Sequence, residues 1–457
     1  MTMPGIEKNP AGTSRSDVLS PQPDPAAKLE VEDQKSTASV RTIAAHTDPN
    51  PAITIPDGGT EAWLTVLGAT LVQYITFGYV NAFGVYQDYY VRVYLTRHTP
   101  SEIGWIGGAQ LFLTFFAGAF AGRAFDRGYF RSLVISSLLL HSLALFTLSA
   151  SYANKYYQVF LSHGVALGLS AGLIYIPSLG IVSHHFQKRR PIALGIISSG
   201  AALGSVLHPI MLNKLFTNEA IGFHNGVRIS AGINTFLYLV AVALMKTRLP
   251  PRPAQRYPIG EWLKESAYVV LVVASIFVFL GLFYPVFFLQ LTAVSKGVDK
   301  NIAFHSIAIL NASSLFGRVL SGLAAQSLGS MNVASFVAFA TGGSAFAMMA
   351  VKNATSTILF AIFYGFFSGA AISIVPSVVA VLAKDVSEMG GRLAVLFMAG
   401  GFLGLFASTI GGELIGNGPE LHFDRGVIFA SICLTITAVL WTIARTIVAR
   451  EKGRQRI

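Results

Sequence analysis

From Ala62 onward the chain contains twelve apolar segments of about twenty residues or more, from 62–87 to 426–448. At 1.5 Å per residue each is long enough to cross a hydrocarbon core of roughly 30 Å. No other feature limits the fold so strongly. Only 12% of the 457 residues are charged, against about 25% in an ordinary soluble domain, and single soluble cores stop growing near roughly 250–300 residues. A soluble globular enzyme is therefore excluded, and the expectation is an all-α membrane protein with twelve transmembrane helices.

The widest polar gap between spans, from Lys246 to Glu265, holds Pro250, Pro251, Pro253 and Pro258 and splits the array six plus six. The expected layout is a disordered cytosolic tail (1–59), a six-helix bundle (60–247), a cytosolic middle loop (248–265), a second six-helix bundle (266–448) and a short cytosolic tail (449–457). The first segment carries eight prolines, eight acids and five bases, a composition that cannot bury enough apolar surface to order itself. It lacks a basic start followed by an apolar stretch, so the first span is expected to direct insertion. With the N-terminus in the cytosol, the inner loops and C-terminus hold eighteen bases and the outer loops nine, which favours both termini inside. Trp63, Trp105 and Trp262 fall at span ends, as interfacial anchors should. The net charge of +11 is thus assigned to orientation; no basic stripe tracks a nucleic acid. A lone Cys433 leaves no intrachain disulfide to form.

Gly122-Arg-Ala-Phe-Asp126 closes the second span and Gly322-Leu-Ala-Ala-Gln326 closes the eighth at the corresponding place. With twelve spans and a proline-rich middle loop, this weak repeat points to a transporter made from two six-helix bundles. In the second-to-third loop, Gly122-Arg-Ala-Phe-Asp126-Arg127-Gly128-Tyr-Phe-Arg131, Gly122 would permit close helix approach. Asp126 and Arg127 would pair with charges or a helix N-terminus of the other bundle. On charge alone the same loop reads as a solvated turn. It resembles the loop motif of the major facilitator superfamily, although Gly128-Tyr-Phe departs from the usual ending. Phe186-Gln-Lys188-Arg189-Arg190-Pro-Ile-Ala193-Leu-Gly195 with Gly200, Asp57-Gly58-Gly59 with Ala62-Trp63, and Asn311-Ala-Ser-Ser-Leu-Phe-Gly317-Arg318 resemble monocarboxylate porters of fungal type. The resemblance covers about residues 57–450. It implies the two-bundle facilitator fold and alternating access.

Arg318 stands out without any family knowledge. It lies eight residues before Gln326, hence about 12 Å from the cytosolic end of its helix and close to mid-bilayer. An unpaired guanidinium there costs at least about 2.5–3.5 kcal/mol, so it should face a wet cavity or a counter-anion; snorkelling toward the cytosol is the alternative. In the porters it resembles, the arginine at this place binds the substrate carboxylate. Asn311 and Ser314 share its helical face and are candidate additional donors or, equally, interhelical polar contacts.

Two departures bear on coupling. Animal porters of this family carry a lysine in the first span and an aspartate one turn before the arginine, and both take part in proton coupling; here the matching positions are Asn81 and Ser314. No span centre holds an acid. Of the histidines in spans, His208 is expected near the outer surface and His141 on a peripheral helix; with His163 they are the remaining titratable candidates. His184-His185 is a single pair, short of the several clusters a membrane iron enzyme gathers, and no phosphate-cradling glycine loop appears. No cofactor is implied. Phe277, Phe279, Phe283, Tyr284, Phe287 and Phe288 in the seventh span read either as a pocket for a ring-bearing ligand or as lipid-facing and packing residues. Pro177, Pro285 and Pro376 lie inside spans, where kinks can serve as hinges.

The expected function is secondary transport of a small organic anion, leaning to efflux of a carboxylate or acidic secondary metabolite. The expected binding residues are Arg318, Asn311, Ser314 and Asn81, and the expected gating residues Gly122, Asp126, Arg127, Arg131 and Arg392, with Asp126 contacting Gly390-Gly391-Arg392. The partners would be the anion and the lipid bilayer, with the protein acting as a monomer in the plasma membrane. Proton-symport uptake of a short monocarboxylate and a non-transporting membrane sensor are the alternatives.

Overall fold

The structure, a computed structural model, describes residues 57–187, 189–250, 257–383, 388–416 and 421–457. The expected tail up to residue 56, Lys188 and the middle-loop bases Arg252 and Arg256 lie outside the described residues. Twelve helices are long and apolar enough to cross a membrane: α1 Thr60–Tyr94, α2 Pro100–Asp126, α3 Phe130–Ser149, α4 Tyr156–His184, α5 Ile192–Thr217, α6 Gly222–Leu244, α7 Ser266–Ser295, α8 Lys300–Leu328, α9 Ser330–Ala350, α10 Ala354–Leu382, α11 Glu388–Ile415 and α12 Phe423–Lys452. Their outward faces carry large apolar side chains such as Phe120, Leu139, Phe236, Phe336 and Phe402, an exposure only a bilayer makes favourable.

The helices pack in two related sets. In the first, α2 packs on α4, α1 on α5 and α6, and α3 on α4 and α6. Adding six to each number gives the second set: α8 on α10, α7 on α11 and α12, and α9 on α10 and α12. The seam between sets obeys the same rule, with α2 against α11 and α5 against α8. The repeat seen faintly in the sequence is thus a repeat of packing partners.

Helix α1 is broken, running as Thr60–Ile75, Phe77–Val80, Phe83–Tyr89 and a wider turn Tyr90–Tyr94. The Thr76 hydroxyl donates to the Val72 carbonyl at 2.7 Å and the Asn81 amide to the Phe77 carbonyl at 2.8 Å, so side chains satisfy carbonyls around the break. On either side of it, Gly78 lies against Gly204 of α5 and Gly84 against the Val286 carbonyl of α7. Only glycine leaves room for backbone this close.

The two ends of the molecule differ. Toward the Asp88 end, one apolar cluster includes residues of both bundles, among them Phe83, Ile103, Phe115, Phe279, Phe287 and Ile307. At the opposite end the core divides. One cluster there, with Trp262, Tyr268 and Trp441, is confined to the second bundle, and another, with Val66, Phe130 and Tyr238, to the first. Separate cores let one end part while the shared core holds the other.

Candidate functional site

Arg318 lies on α8 where the two bundles face each other. Its Nε donates to the Ser314 hydroxyl one turn earlier at 3.4 Å, and among the described residues no carboxylate forms an ion pair with it. Across the gap stands Tyr175 of α4, near enough for the two groups to interact electrostatically. Both residues are half-buried, so part of their surface stays accessible. A guanidinium so placed is a ready fork for an anion.

The other expected binding residues are placed unequally. Ser314 reaches Arg318, and its backbone lies against Gly369 of α10. Asn311 donates its amide to the Ile307 carbonyl at 3.0 Å, and Asn81 is spent on its own helix as described; neither is hydrogen-bonded to Arg318. Sequence reasoning missed the aromatic wall beside it. Phe77 of α1 stacks on Tyr175 with centroids 5.1 Å apart, and Phe115 of α2 meets Phe77, Tyr175, Phe279 and Phe397. Phe279 and Phe397 come from α7 and α11, so the rings join both bundles. Of the seventh-span aromatics, Phe279, Phe283 and Phe287 are buried in this core and Tyr284 bonds the Phe423 carbonyl. They do not form a lipid-facing stripe.

The Asp88 end is sealed by polar contacts between bundles. Helix α1 continues past the expected end at residue 87 to Tyr94, which brings Asp88 inside it at 1% exposure. Asp88 holds Arg92 in a two-pronged pair and accepts from Gln290 of α7 at 3.0 Å. Gln290 exchanges amide bonds with Asn213 of α5, which also donates to the Phe304 carbonyl of α8 at 2.8 Å. Nearby, Ser101 donates to the Thr409 carbonyl and Ser408 to the Gly104 carbonyl, tying α2 to α11. The sequence did carry a signal for Asp88: an acid four residues before an arginine on one helix is a pair that lets a span continue.

At the opposite end the expected latch takes a different form. Arg392, fully buried, pairs with Glu265 at 2.5 and 2.8 Å and with Glu388, and lies over the rings of Trp262 and Tyr268. It locks the start of α11 to the start of α7 within the second bundle, and Asp126 is not its partner. The residue against Gly390 and Gly391 is Tyr257. Burial first, then the nearby Asp126 carboxylate, push the Tyr257 hydroxyl above its ordinary value, while Arg123 pulls it down. Tyr257 thus packs on the start of α11 while lying within electrostatic reach of Asp126. Asp126 also lines a cleft of about 120 Å³ with Phe125, Phe130, His184 and Leu249. Arg131 donates to the Val242 carbonyl at 3.0 Å within the first bundle, and Arg127 is exposed. Gly122 is not a point of close approach: an added methyl would sit 3.5 Å from Ile176, an ordinary contact. The tight glycines between α2 and α4 are Gly168 and Gly172, nearer the shared core. Replacing Arg392 with Gln removes its ion pairs with Glu265 and Glu388 and its cation from the faces of Trp262 and Tyr268, a destabilising loss for so buried a guanidinium. Thermal unfolding in detergent should show a clearly lower midpoint.

The histidines sit deeper than expected. His208 is fully buried, its Nε2–H donating to the Tyr74 carbonyl at 3.2 Å, and its ring faces Tyr74 and Tyr79. His141 contacts Ser170, and His163 meets the Tyr90 hydroxyl at 2.9 Å. The three belong to one His and Tyr core of the first bundle, and position along a helix alone could not show this. Among the described residues no group of three or more metal-ligating side chains comes together.

Residues 62–409 match the family model described as Major Facilitator Superfamily. The chain is 38% identical over 360 residues to the aspyridones efflux protein apdF of Emericella nidulans, covering 79% of this chain and 73% of that protein. It is 34% identical to the agnestins efflux protein AgnL12 of Paecilomyces divaricatus, over 86% and 88% of the two chains. The solved D-xylose-proton symporter superposes with a TM-score of 0.66 at 16% identity, over 83% of this chain and 96% of that one, a likeness of fold alone.

Proposed function

The chain belongs to the major facilitator superfamily, and on that premise we propose that it exports an organic acid, with Arg318 as the anion site. It is a multi-pass membrane transporter and not an enzyme; the acidic substrate and the outward direction are what is proposed. The observation that carries the substrate class is the Arg318 guanidinium, enclosed between bundles without a carboxylate partner among the described residues and facing Tyr175. The direction draws on relatives named as efflux proteins for aspyridones and agnestins. With both termini in the cytosol, as the charge bias favours, the Asp88 end faces outward and is closed, and Arg318 is reached from the cytosol. This is the state in which an exporter loads. The monocarboxylate-porter resemblance adds an arginine of the same role at this position.

Counterflow in proteoliposomes against a panel of carboxylates and matched neutral amides tests the substrate class. The acids should exchange and the amides should not; exchange of amides at equal rates would overturn the anion site.

Asn81 and Ser314 replace the porters' lysine and aspartate, so export is expected to follow the membrane potential, worth about 2.3 kcal/mol per charge per 100 mV. At fixed potential, stepping the pH gradient should leave flux nearly unchanged. Proton movement in step with substrate would refute this and direct attention to Asp88 and the three buried histidines.

A further inference from the structure

Beside Arg318 the site is walled by rings, where an aliphatic ligand would call only for leucine, isoleucine or valine. Tyr175 links the two: it lies within electrostatic reach of the guanidinium, stacks on Phe77 and meets the edge of Phe115. From Phe77 ring contact passes without interruption to Phe115 at 6.2 Å, and from Phe115 to Phe397 at 5.2 Å and Phe279 at 5.1 Å. Tyr175 and Phe397 keep part of their surface accessible. Phe279 and Phe397 also line an apolar pocket of about 30 Å³ together with Leu271, Val378 and Trp441. Aromatic faces prefer other π-systems over saturated carbon of the same area, through offset and edge contacts.

We infer that the substrate carries a flat conjugated or aromatic ring next to its acidic group, the acid held by Arg318 and the ring laid against Phe115 and Phe397. The inference rests on the anion-site reading and adds the shape and electronic character of the group attached to the acid. Because the wall includes side chains from α1, α2, α4, α7 and α11, a ring seated there touches both bundles at once. A short aliphatic acid would touch mainly the arginine.

The test is inhibition of counterflow in proteoliposomes by 2-naphthoate and by its decahydro counterpart, equal in charge and close in size. Wild type should prefer the aromatic acid by about five- to tenfold, the range expected of ring-on-ring contact. Phe115→Leu and Phe397→Leu should bring the preference close to one, and Phe115→Tyr should keep it. The wild-type comparison needs no variant to fold. Equal inhibition by the two acids, no inhibition by 2-naphthoate, or an undiminished preference in both leucine variants would overturn the ring inference. Uncharged 2-naphthamide inhibiting as well as 2-naphthoate would instead overturn the anion site, so the two failures are told apart.

Discussion

Arg318→Gln is expected to abolish export of acidic substrates while the protein reaches the membrane in at least normal amounts. Both halves of this expectation come from the surroundings of the side chain. Its hydrogen bond to Ser314 is long, at 3.4 Å, and among the described residues no ion pair depends on it, so its removal breaks little. The variant also escapes an insertion cost of about 2.5–3.5 kcal/mol. The anion loses a charge-assisted fork, and truncating one partner of a buried charge pair costs about 2–5 kcal/mol, which is about thirtyfold to several thousandfold in transport at low substrate. Arg318→Lys keeps the charge without the planar fork and should recover only part of this. The measurement is flux per correctly inserted molecule. Wild-type turnover in the glutamine variant would refute the assignment.

Asp88→Ala is expected to open the end of the molecule that is closed here. The substitution strips Arg92 of its counter-charge and Gln290 of an acceptor in one step, at a site only 1% exposed. Asp88 and Arg92 share α1 and stay paired in either conformation, so what the seal loses is the charge-assisted hydrogen bond from Gln290, about 1.5–3 kcal/mol, enough to reverse a preference of that size between two conformations. A cysteine at Thr409, beside Ser101, in a background where Cys433 is replaced, reports the change. An impermeant maleimide added from the Asp88 side should label it slowly in the parent and much faster in the variant. Gln290→Ala should give an effect of the same sign and at least the same size, because it removes the bonds across the seam to both Asp88 and Asn213. Unchanged labelling in both would show that the seal lies elsewhere.

The fold was legible because its determinants are local. A run of twenty apolar residues identifies a span wherever it occurs, and the proline-rich gap after Lys246 marks the division. Arg318 was legible for the same reason, since a lone charge in a span is costly and must have a purpose. What escaped notice depends on contacts between distant residues. Tyr175, Phe115 and Phe397 look like any aromatic in a membrane helix until α4, α2 and α11 are brought to one seam. Asp88 was lost to a boundary error: ending the first span at residue 87 placed the carboxylate in a loop. The partners of Arg392 escaped notice for a related reason. Arg392 and Asp126 both belong to the same end, but Glu265 immediately before α7 is nearer in the fold to Arg392, and no one-dimensional spacing reveals that. The burial of His208 likewise required knowing that α5 crosses α1 at its break.

Toward the Asp88 end, the contact of α2 with α11 includes main chain packed on main chain. Gly104 and Gly108 face the carbonyls of Ser408 and Leu405, and Gly412 faces Pro100. A surface built from main chain has no rotamers to reset when one helix rolls over the other, so it behaves as a bearing whose friction is independent of what the cavity holds. Two of the rings proposed to meet the substrate, Phe115 and Phe397, project from the same two helices, further along. Exchanging those rings would change the cargo and leave the bearing as it is, so in this chain selectivity and motion can be altered separately.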